Sequence, residues 1–472
     1  MDSSNVPRVA NRAEAESFLD ERMGHGVQPG LERITGLLEY MGDPHRTYPT
    51  IHVAGTNGKT TVTRMVQQIL GAHGLATGGF TSPHLDRVEE RFALHGAPID
   101  ADAFTDAVRD IAWFVTGYEE ASGSPVTYFE VTAALAFSIF ANATVDVAVI
   151  EVGLGGRLDA TNVVDADVSV ITGVDIDHTE YLGTTVAMIA GEKAAILKSD
   201  GTLVSGALPD EAHAVVAARV EETGSRWVRL DTDFSVLEAV VGVGGWLCTI
   251  SGVYDTYDDV FLPLHGRHQV DHLATAIACS EVFLGRGLDT DLLVAAAASV
   301  TSPGRLEVVG RRPIVILDGA HNRQGFLGLS ATLDEEFPPI QWKLVLGLRG
   351  NREVSDLLTV LKGRVDRVYA TAAMDPASHD AVELAERAAA VLGVEGSAFT
   401  DPLEAVEAAR LAAGPDGGVI VAGSLYLVGE VHGELAGPGS RPPDVHVRYD
   451  AQAILDATGD EDVEEEEDIY DG

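Results

Sequence analysis

The sequence predicts an α/β protein made of two parallel-sheet units, the first larger than the second. Three observations predict it. Strand-length apolar segments alternate with longer helix-like segments along most of the 472 residues. The apolar segments are near-continuous rather than alternating, as expected of strands buried on both faces. The alternation pauses at SPGRLEVV (302–309) and then begins again, which suggests a second layer of the same kind.

Taken in order, TIHVA (50–54) reads as a short buried strand, the Gly-rich GTNGKTT (55–61) as a turn, and about 61–73 as a helix. VDVAVIEVG (145–153), VSVITGVDI (168–176) and GTLVSG (201–206) read as further strands. VTAALAFSIFANA and TVAMIAGEKAAILK, between them, read as helices. Past the boundary near 303–310, the strands expected are PIVILDGA, WKLVLGL, RVYATAA and GGVIVAGSLYLV. GPGSRPP (437–443) reads as a linker. The last 17 residues, from Asp456, hold ten acids and cannot build a core. The expected division is 1–302, 303–436 and an acidic, disordered tail at 437–472.

Composition narrows the function classes. Arg and Lys total 32 against 73 Asp and Glu, a net charge of −41. Such a surface repels nucleic-acid phosphates and anionic lipid, so no nucleic-acid or membrane partner is expected. There is no apolar run long enough to span a bilayer, and the N-terminus has no signal-peptide core. Two cysteines, Cys248 and Cys279, exclude a disulfide scaffold and suit a reducing cytoplasm. Only five lysines occur: Lys59, Lys193, Lys198, Lys343 and Lys362. Acid excess with lysine scarcity suggests a protein of molar salt, where the screening length falls to about 3 Å. An ordinary acidic protein with a polyanionic tail is the alternative. In a chain so poor in lysine, each one retained is expected to have a task.

The loop Gly55-Thr56-Asn57-Gly58-Lys59-Thr60-Thr61 lies between a predicted strand and a predicted helix. Backbone N–H groups of such a loop point at an anion, and the helix N-terminus adds positive potential. Lys59 would reach the outer phosphates, and Thr60 or Thr61 would order the phosphates or a metal shell. The strict Walker spacing fails, because Val53 stands where it requires glycine. The fold class expected is therefore α/β, a P-loop-type parallel-sheet ATPase domain followed by a smaller α/β Rossmann-like C-terminal domain.

A resemblance covers about residues 14–434. AGTNGKTT, FTSPHL (80–85), TYFE (127–130), EVGLGGRLDATNVV (151–164), DHTEYLG (177–183), GEKAAILK (191–198), GRHQ (266–269), PGRLEV (303–308), DGAHN (318–322) and AGSLYLVGE (422–430) occur in this order. The chain so resembles the folylpolyglutamate synthase/dihydrofolate synthase family of the Mur ligase superfamily, ATP-dependent amide-forming ligases.

The resemblance implies roles. Thr56, Asn57, Gly58, Lys59 and Thr60 would hold ATP. Glu151, at a strand end beside the ligand crevice, is expected to bind magnesium, which needs hard oxygen ligands beside the phosphates, with a cap on neighbouring glycines as the alternative; by resemblance Ser82 shares that ion, and alone it would read as a turn serine. His178 would ligate a second Mg2+, although magnesium prefers oxygen and the residue alone could be a loop histidine. Lys193 would carry a carbamate; a lone helix lysine is otherwise a solvated one. Arg305 and Asp318 would touch the nucleotide, with Arg305 neutralising charge in the transition state. His321 is a further candidate near the phosphates. His272 stands where the family's adenine contact is usually Asn, and GLRGNRE (347–353) where it usually shows an Asp-Lys-Asp cluster. Thr127, Tyr128, Phe129, Glu130, Leu158, Asp159 and Ala160 would line the pterin pocket, with the two aromatics alternatively plain core residues. Glu90 and Arg91 fit the family's pterin loop, whereas Asp86 and Glu89 depart from it.

The activity implied is a ligase joining L-glutamate to a pterin acid, making dihydrofolate, folylpolyglutamate or both. ATP and two magnesium ions would serve a monomeric cytoplasmic enzyme. The rivals are a Mur-type ligase for another acid, such as a non-folate pterin or a cell-wall precursor, and a nucleotide-binding switch without chemistry.

Overall fold

The computed structural model describes residues 8–350, 352–373 and 377–437. The expected linker and acidic tail therefore lie outside the described residues, apart from Gly437. Eight strands form the first sheet: β1 (Thr50–Ala54), β2 (Thr77–Phe80), β3 (Phe92–Leu94), β4 (Ala97–Pro98), β5 (Val147–Glu151), β6 (Val168–Ile171), β7 (Thr202–Ser205) and β8 (Arg226–Arg229). Their order is β4-β3-β2-β5-β1-β6-β7-β8. Every pair from β2 through β8 is parallel, and β3 and β4 add an antiparallel edge. All five residues of β1 and of β5 are buried, which is why those segments read as unbroken apolar runs. The adjacent C-terminal ends of β1, β5 and β6 open at one edge, with Val53 opposite both Glu151 and Val170.

Helices cover the faces. Glu32–Tyr40, Ala101–Ser122 and Tyr128–Asn142 enclose one core with Phe80, Phe92 and Phe104. The helix Lys59–Ala72 packs on the other face with Arg267–Leu284.

A three-stranded antiparallel sheet, β9 (Ser235–Gly242), β10 (Gly245–Ser251) and β11 (Thr256–Leu262), is absent from the sequence reading. Its residues alternate, with Trp246, Cys248 and Ile250 buried and Leu247 exposed. A search for continuous apolar runs passes over that period of two.

The second sheet runs β12-β13-β17-β14-β15-β16, from β12 (Glu307–Arg311), β13 (Ile314–Asp318), β14 (Trp342–Leu346), β15 (Val365–Thr371), β16 (Glu395–Phe399) and β17 (Gly418–Ala422). Only β12 is antiparallel. The expected strand through AGSLYLV stops at Ala422. Ser424 caps the helix Leu425–Leu435 by accepting from the Tyr426 N–H, so the second half of that apolar run is helical.

Candidate functional site

Between the two sheets lies a cleft of about 440 Å³ lined by Asn57, Lys59, Thr60, Ser82, Glu151, Asp177, His178, His272, Arg305, Asp318 and His321. Its floor is the turn from β1 into the helix Lys59–Ala72. Gly58 has φ of +82°, and a Cβ there would overlap the His272 ring, so the close approach demands glycine. The Thr56 hydroxyl donates to the Asp175 carbonyl at 3.1 Å, and the Thr172 hydroxyl to the Asn57 carbonyl at 2.6 Å, pinning the loop to the segment after β6. Lys59 folds back over its own loop, its Nζ donating to the Gly55 and Thr56 carbonyls at 3.1 and 3.4 Å.

The two threonines of the loop part company. The Thr60 hydroxyl lies 3.0 Å from both Glu151 oxygens. Thr61 Oγ1 lies 3.0 Å from Ser302 Oγ, tied to the segment leading into the second sheet. Glu151 is 1% exposed and also accepts from the Ser82 N–H at 3.1 Å. Burial raises its carboxyl above the ordinary range, and Lys59 opposes the shift. No group of three or more His, Cys, Asp or Glu side chains among the described residues forms a metal cage. Magnesium keeps several waters and binds through one or two carboxylates plus substrate phosphates. Glu151 and the Thr60 hydroxyl, with Ser82 beside them on the cleft lining, supply the hard oxygen chemistry magnesium takes. His178 stands at a left-handed position, φ +48°, and burial moves its ring below the usual imidazole range, with Asp177 opposing the shift.

Lys193 corrects the solvated-helix alternative: it is 3% exposed, and its Nζ donates to the Gly55 carbonyl at 2.9 Å. Burial pushes the amine down to about 7, and Lys59 adds to the shift. It sits behind the phosphate loop rather than on the cleft lining. The Arg305 guanidinium lies against Gly319, where a Cβ would overlap it; burial lowers its pKa, and the charges of Asp318 and Glu151 oppose that. Asp318 accepts from the Leu306 and Ala320 N–H groups, both at 2.8 Å, and so shapes the connection between the sheets. His272 is held neutral, pushed down to about 3 by burial, with its Nδ1 3.1 Å from Gln269 Oε1. His268 stands edge-on to it at 5.7 Å.

The residues expected around a pterin are brought together on the far side of Gly153, where Phe129 packs against that glycine. They do not line the cleft. Thr127 and Glu130 form a capping box, and Glu130 also takes two bonds from Arg33 Nε at 3.0 and 3.2 Å. Asp159 is buried and accepts from Leu154 N, Thr161 N and Thr161 Oγ1. Ala160 is buried, and Leu158 is 39% exposed. Tyr128 faces the Arg91 guanidinium, 5.4 Å from ring centroid to Cζ. Glu89 is fully buried and takes two bonds from Arg12, at 2.5 and 3.1 Å, so this departure from the pterin-loop pattern serves as a brace. Glu90 accepts from the N–H groups of Leu85, Asp86 and Arg87.

Sequence reasoning missed Asp177, Asn322 and Arg352, which meet across the cleft. Asp177 precedes His178 in a quoted motif, Asn322 closes DGAHN, and Arg352 lies in the GLRGNRE departure. The signal was their place beside recognised residues, but only the fold brings them together.

Comparison with known proteins adds the following. The Mur ligase middle domain matches residues 53–280, and the Mur ligase glutamate ligase domain matches residues 304–425. The chain is 38% identical over 453 residues to the dihydrofolate synthase/folylpolyglutamate synthase of Mycobacterium tuberculosis, spanning 89% of this chain and 93% of that protein. It superposes on a Mycobacterium tuberculosis folylpolyglutamate synthase solved with ADP and AMPPCP with a TM-score of 0.86 and 38% identity, over 91% of this chain and 99% of the other. An Escherichia coli relative solved with DHPP and ADP superposes with a TM-score of 0.79 and 32% identity, over 90% and 98%.

Proposed function

The chain belongs to the folylpolyglutamate synthase/dihydrofolate synthase family of Mur ligases, and from that premise we propose how its own residues carry the reaction. It is an ATP-dependent ligase joining L-glutamate to a pterin acid. The observation that carries the reading is the convergence of Lys59, Thr60, Glu151 and Arg305 at one end of a parallel sheet, in a cleft faced by a second α/β layer. We divide the chain as 1–302, the nucleotide- and pterin-binding part, and 303–436, the glutamate ligase part.

A carboxylate and an amine need activation to condense. An oxygen of the pterin acid attacks the γ-phosphorus of ATP, and ADP leaves with the electron pair of the broken bond. The amine of L-glutamate then attacks the acyl carbon, and inorganic phosphate departs from the tetrahedral intermediate. The protein's contribution is position and charge. Lys59 exchanges its two carbonyl partners for phosphate oxygens. Arg305, from the connection between the sheets, balances negative charge spreading over the transferred group. Magnesium supplies charge neutralisation of the phosphates; Glu151, Ser82 and Thr60 would hold one ion and His178 a second. Lys193, deprotonated above about pH 7, has the neutral amine that reaction with carbon dioxide requires, and we assign it a carbamate that braces the second site. Thr127, Tyr128, Phe129, Glu130, Leu158, Asp159 and Ala160 form the wall of the pterin pocket, with Tyr128 and Arg91 its binding face and Glu130 and Asp159 its frame. Thr56, Asn57, Gly58, His272 and Asp318 complete the nucleotide site.

We further propose that the enzyme is bifunctional, monomeric and cytoplasmic, and that it works in high salt. The composition supports the last point. Lys59 and Lys193 bond to the loop, Lys198 holds Asn162 and Lys343 pairs with Asp366. No helix among the described residues is long and apolar enough to cross a membrane. ADP release by the purified protein should require both a pterin acid and L-glutamate. Release that ignores glutamate would overturn the ligase assignment, and activity with only one of dihydropteroate and reduced folate would overturn bifunctionality.

A further inference from the structure

His52 sits at the centre of β1, fully buried. Its Nε2 lies 2.8 Å from Thr161 Oγ1, in the 3-10 turn Ala160–Val163. Asp159 decides which of these atoms holds the proton. Its Oδ2 accepts from the Leu154 N–H at 2.8 Å, and its Oδ1 from the Thr161 N–H at 3.0 Å and from the Thr161 hydroxyl. That hydroxyl has one hydrogen and gives it to Asp159, so toward His52 it accepts. His52 is therefore the Nε2–H tautomer. Its Nδ1 is buried with no hydrogen-bond partner among the described residues, a bare lone pair rather than an unmet N–H. Burial pushes the ring down to about 3, and the Lys198 charge adds to the shift.

Lys198, a lysine the phosphate loop does not use, reaches the same turn. Its Nζ donates to Asn162 Oδ1 at 2.9 Å and to the Asn162 carbonyl at 3.0 Å. The Asn162 amide in turn donates to the Arg157 carbonyl at 3.0 Å. Asp159 and Asn162 thus close the segment 153–162 on itself, and His52 and Lys198 tie it to the body of the protein. Arg157 adds a pair with Glu192 at the exposed edge, at 2.8 Å. Residues 153–159 belong to no helix or strand, so these side-chain bonds give the segment its shape. The neighbouring helix Tyr128–Asn142 keeps its shape through its own backbone bonds. The segment carries Leu158, 39% exposed, and Gly153, on which Phe129 packs.

We propose that His52 and Lys198 are positioning residues for the pterin acid, which fix the segment 153–162 from inside the protein and so set where Leu158 and the Gly153–Phe129 contact stand. Neither side chain touches substrate. His52 acts through Thr161, whose hydroxyl accepts its bond and passes one on to Asp159, and Lys198 acts through Asn162. The consequence for the reaction rests on the proposed pterin pocket; the anchoring of the segment does not.

The test is steady-state kinetics on the full chain, with dihydropteroate, ATP and L-glutamate varied in turn, beside a thermal melt and hydrogen exchange read by mass spectrometry. His52→Leu should raise the dihydropteroate KM about 10-fold and leave the other KM values and kcat within about threefold, since a 1 Å misplacement costs up to about 10²-fold. His52→Gln should restore most of the loss, because its Nε2–H reaches where that of the ring does; His52→Asn is too short and should not. Lys198→Met should repeat the split between substrates. Amide exchange should quicken in 153–162 and not in Tyr128–Asn142. Thr161→Val should also raise the dihydropteroate KM, and should lower the melting temperature by leaving the His52 N–H unmet. Adding His52→Leu to it removes both polar partners, so part of the melting temperature should return while the KM stays high; a purely structural role would return both. An unchanged dihydropteroate KM in His52→Leu, or equal KM values in the Gln and Asn variants, would overturn the assignment. If His52→Leu melts early, His52→Gln against His52→Asn carries the same comparison. Failure of the ligase reading would show separately, as ADP release by the parent indifferent to glutamate while exchange in 153–162 still responds to His52→Leu.

Discussion

Around the phosphate loop, the two lysines rest on few bonds. Lys59 leans on two backbone carbonyls and Lys193 on one. Across Gly153, at the wall formed by Tyr128–Asn142 and its neighbours, the charges are spoken for. Glu130 takes Arg33 and the Thr127 N–H, Asp159 takes three donors from 154–161, and Glu89 takes Arg12. Both regions carry family motifs, yet one is poised for a ligand and the other is largely frame. A motif residue therefore has to be judged by whether its polar atoms are already satisfied, because a buried group with all its partners has little to offer a substrate.

The contrast is broken most directly at Lys59. Lys59→Ala should lower kcat by about 10²–10³ with little change in melting temperature, since loss of one preorganised donor typically costs that much. Steady-state kinetics beside a thermal melt checks it, and activity within a few-fold of the parent would remove Lys59 from the chemistry.

Lys193 sharpens the comparison because it is buried as deeply as the frame residues but holds only one bond. Lys193→Ala and Lys193→Arg should both lose nearly all turnover, with formate or acetate restoring part of it to the alanine variant alone. An active arginine variant would refute the carbamate. The pH dependence has a definite sign. The folded amine titrates near 7 against 10.5 ordinarily, so the unfolded chain binds a proton between those values that the folded chain does not. The contribution is complete above about pH 10.5 and is lost as pH falls through 7. In CO2-free buffer, Lys193→Met should flatten the rise in denaturation midpoint between pH 7 and 10; a slope equal to the parent's would contradict the shift.

The frame should behave in the opposite manner. Glu130→Gln breaks a largely buried pair with Arg33 and should cost on the order of 3 kcal/mol in urea unfolding, while the pterin KM of the folded fraction moves little. A large KM change at unaltered stability would make Glu130 a binding residue.

Salt gives the smallest and broadest effect. Going from dilute to molar KCl should raise the melting temperature, because surface carboxylates repel less when screened. The decrement caused by Glu130→Gln should stay nearly constant, since buried pairs are screened much less. A melting temperature that stays flat or falls would contradict a high-salt habitat.

The sequence by itself determined the parallel strands and the phosphate loop. Both depend on local chemistry: unbroken apolar runs between helices, and glycines with a lysine at a strand-to-helix turn. Burial of Glu151 at the end of β5 was legible for the same reason. The β9–β11 sheet was not, because its alternating pattern is weak until Trp246, Cys248 and Ile250 find a core to enter. Nor was the split between Thr60 and Thr61, adjacent residues whose partners, Glu151 and Ser302, lie far along the chain. Only the tertiary structure decided that Lys193 is buried behind Gly55, that Glu130 and Asp159 are saturated, and that Arg352 reaches Asp177 from the other lobe. Each of these is a contact between residues distant in sequence, and the energy of a charge depends on what surrounds it in space rather than on its neighbours along the chain.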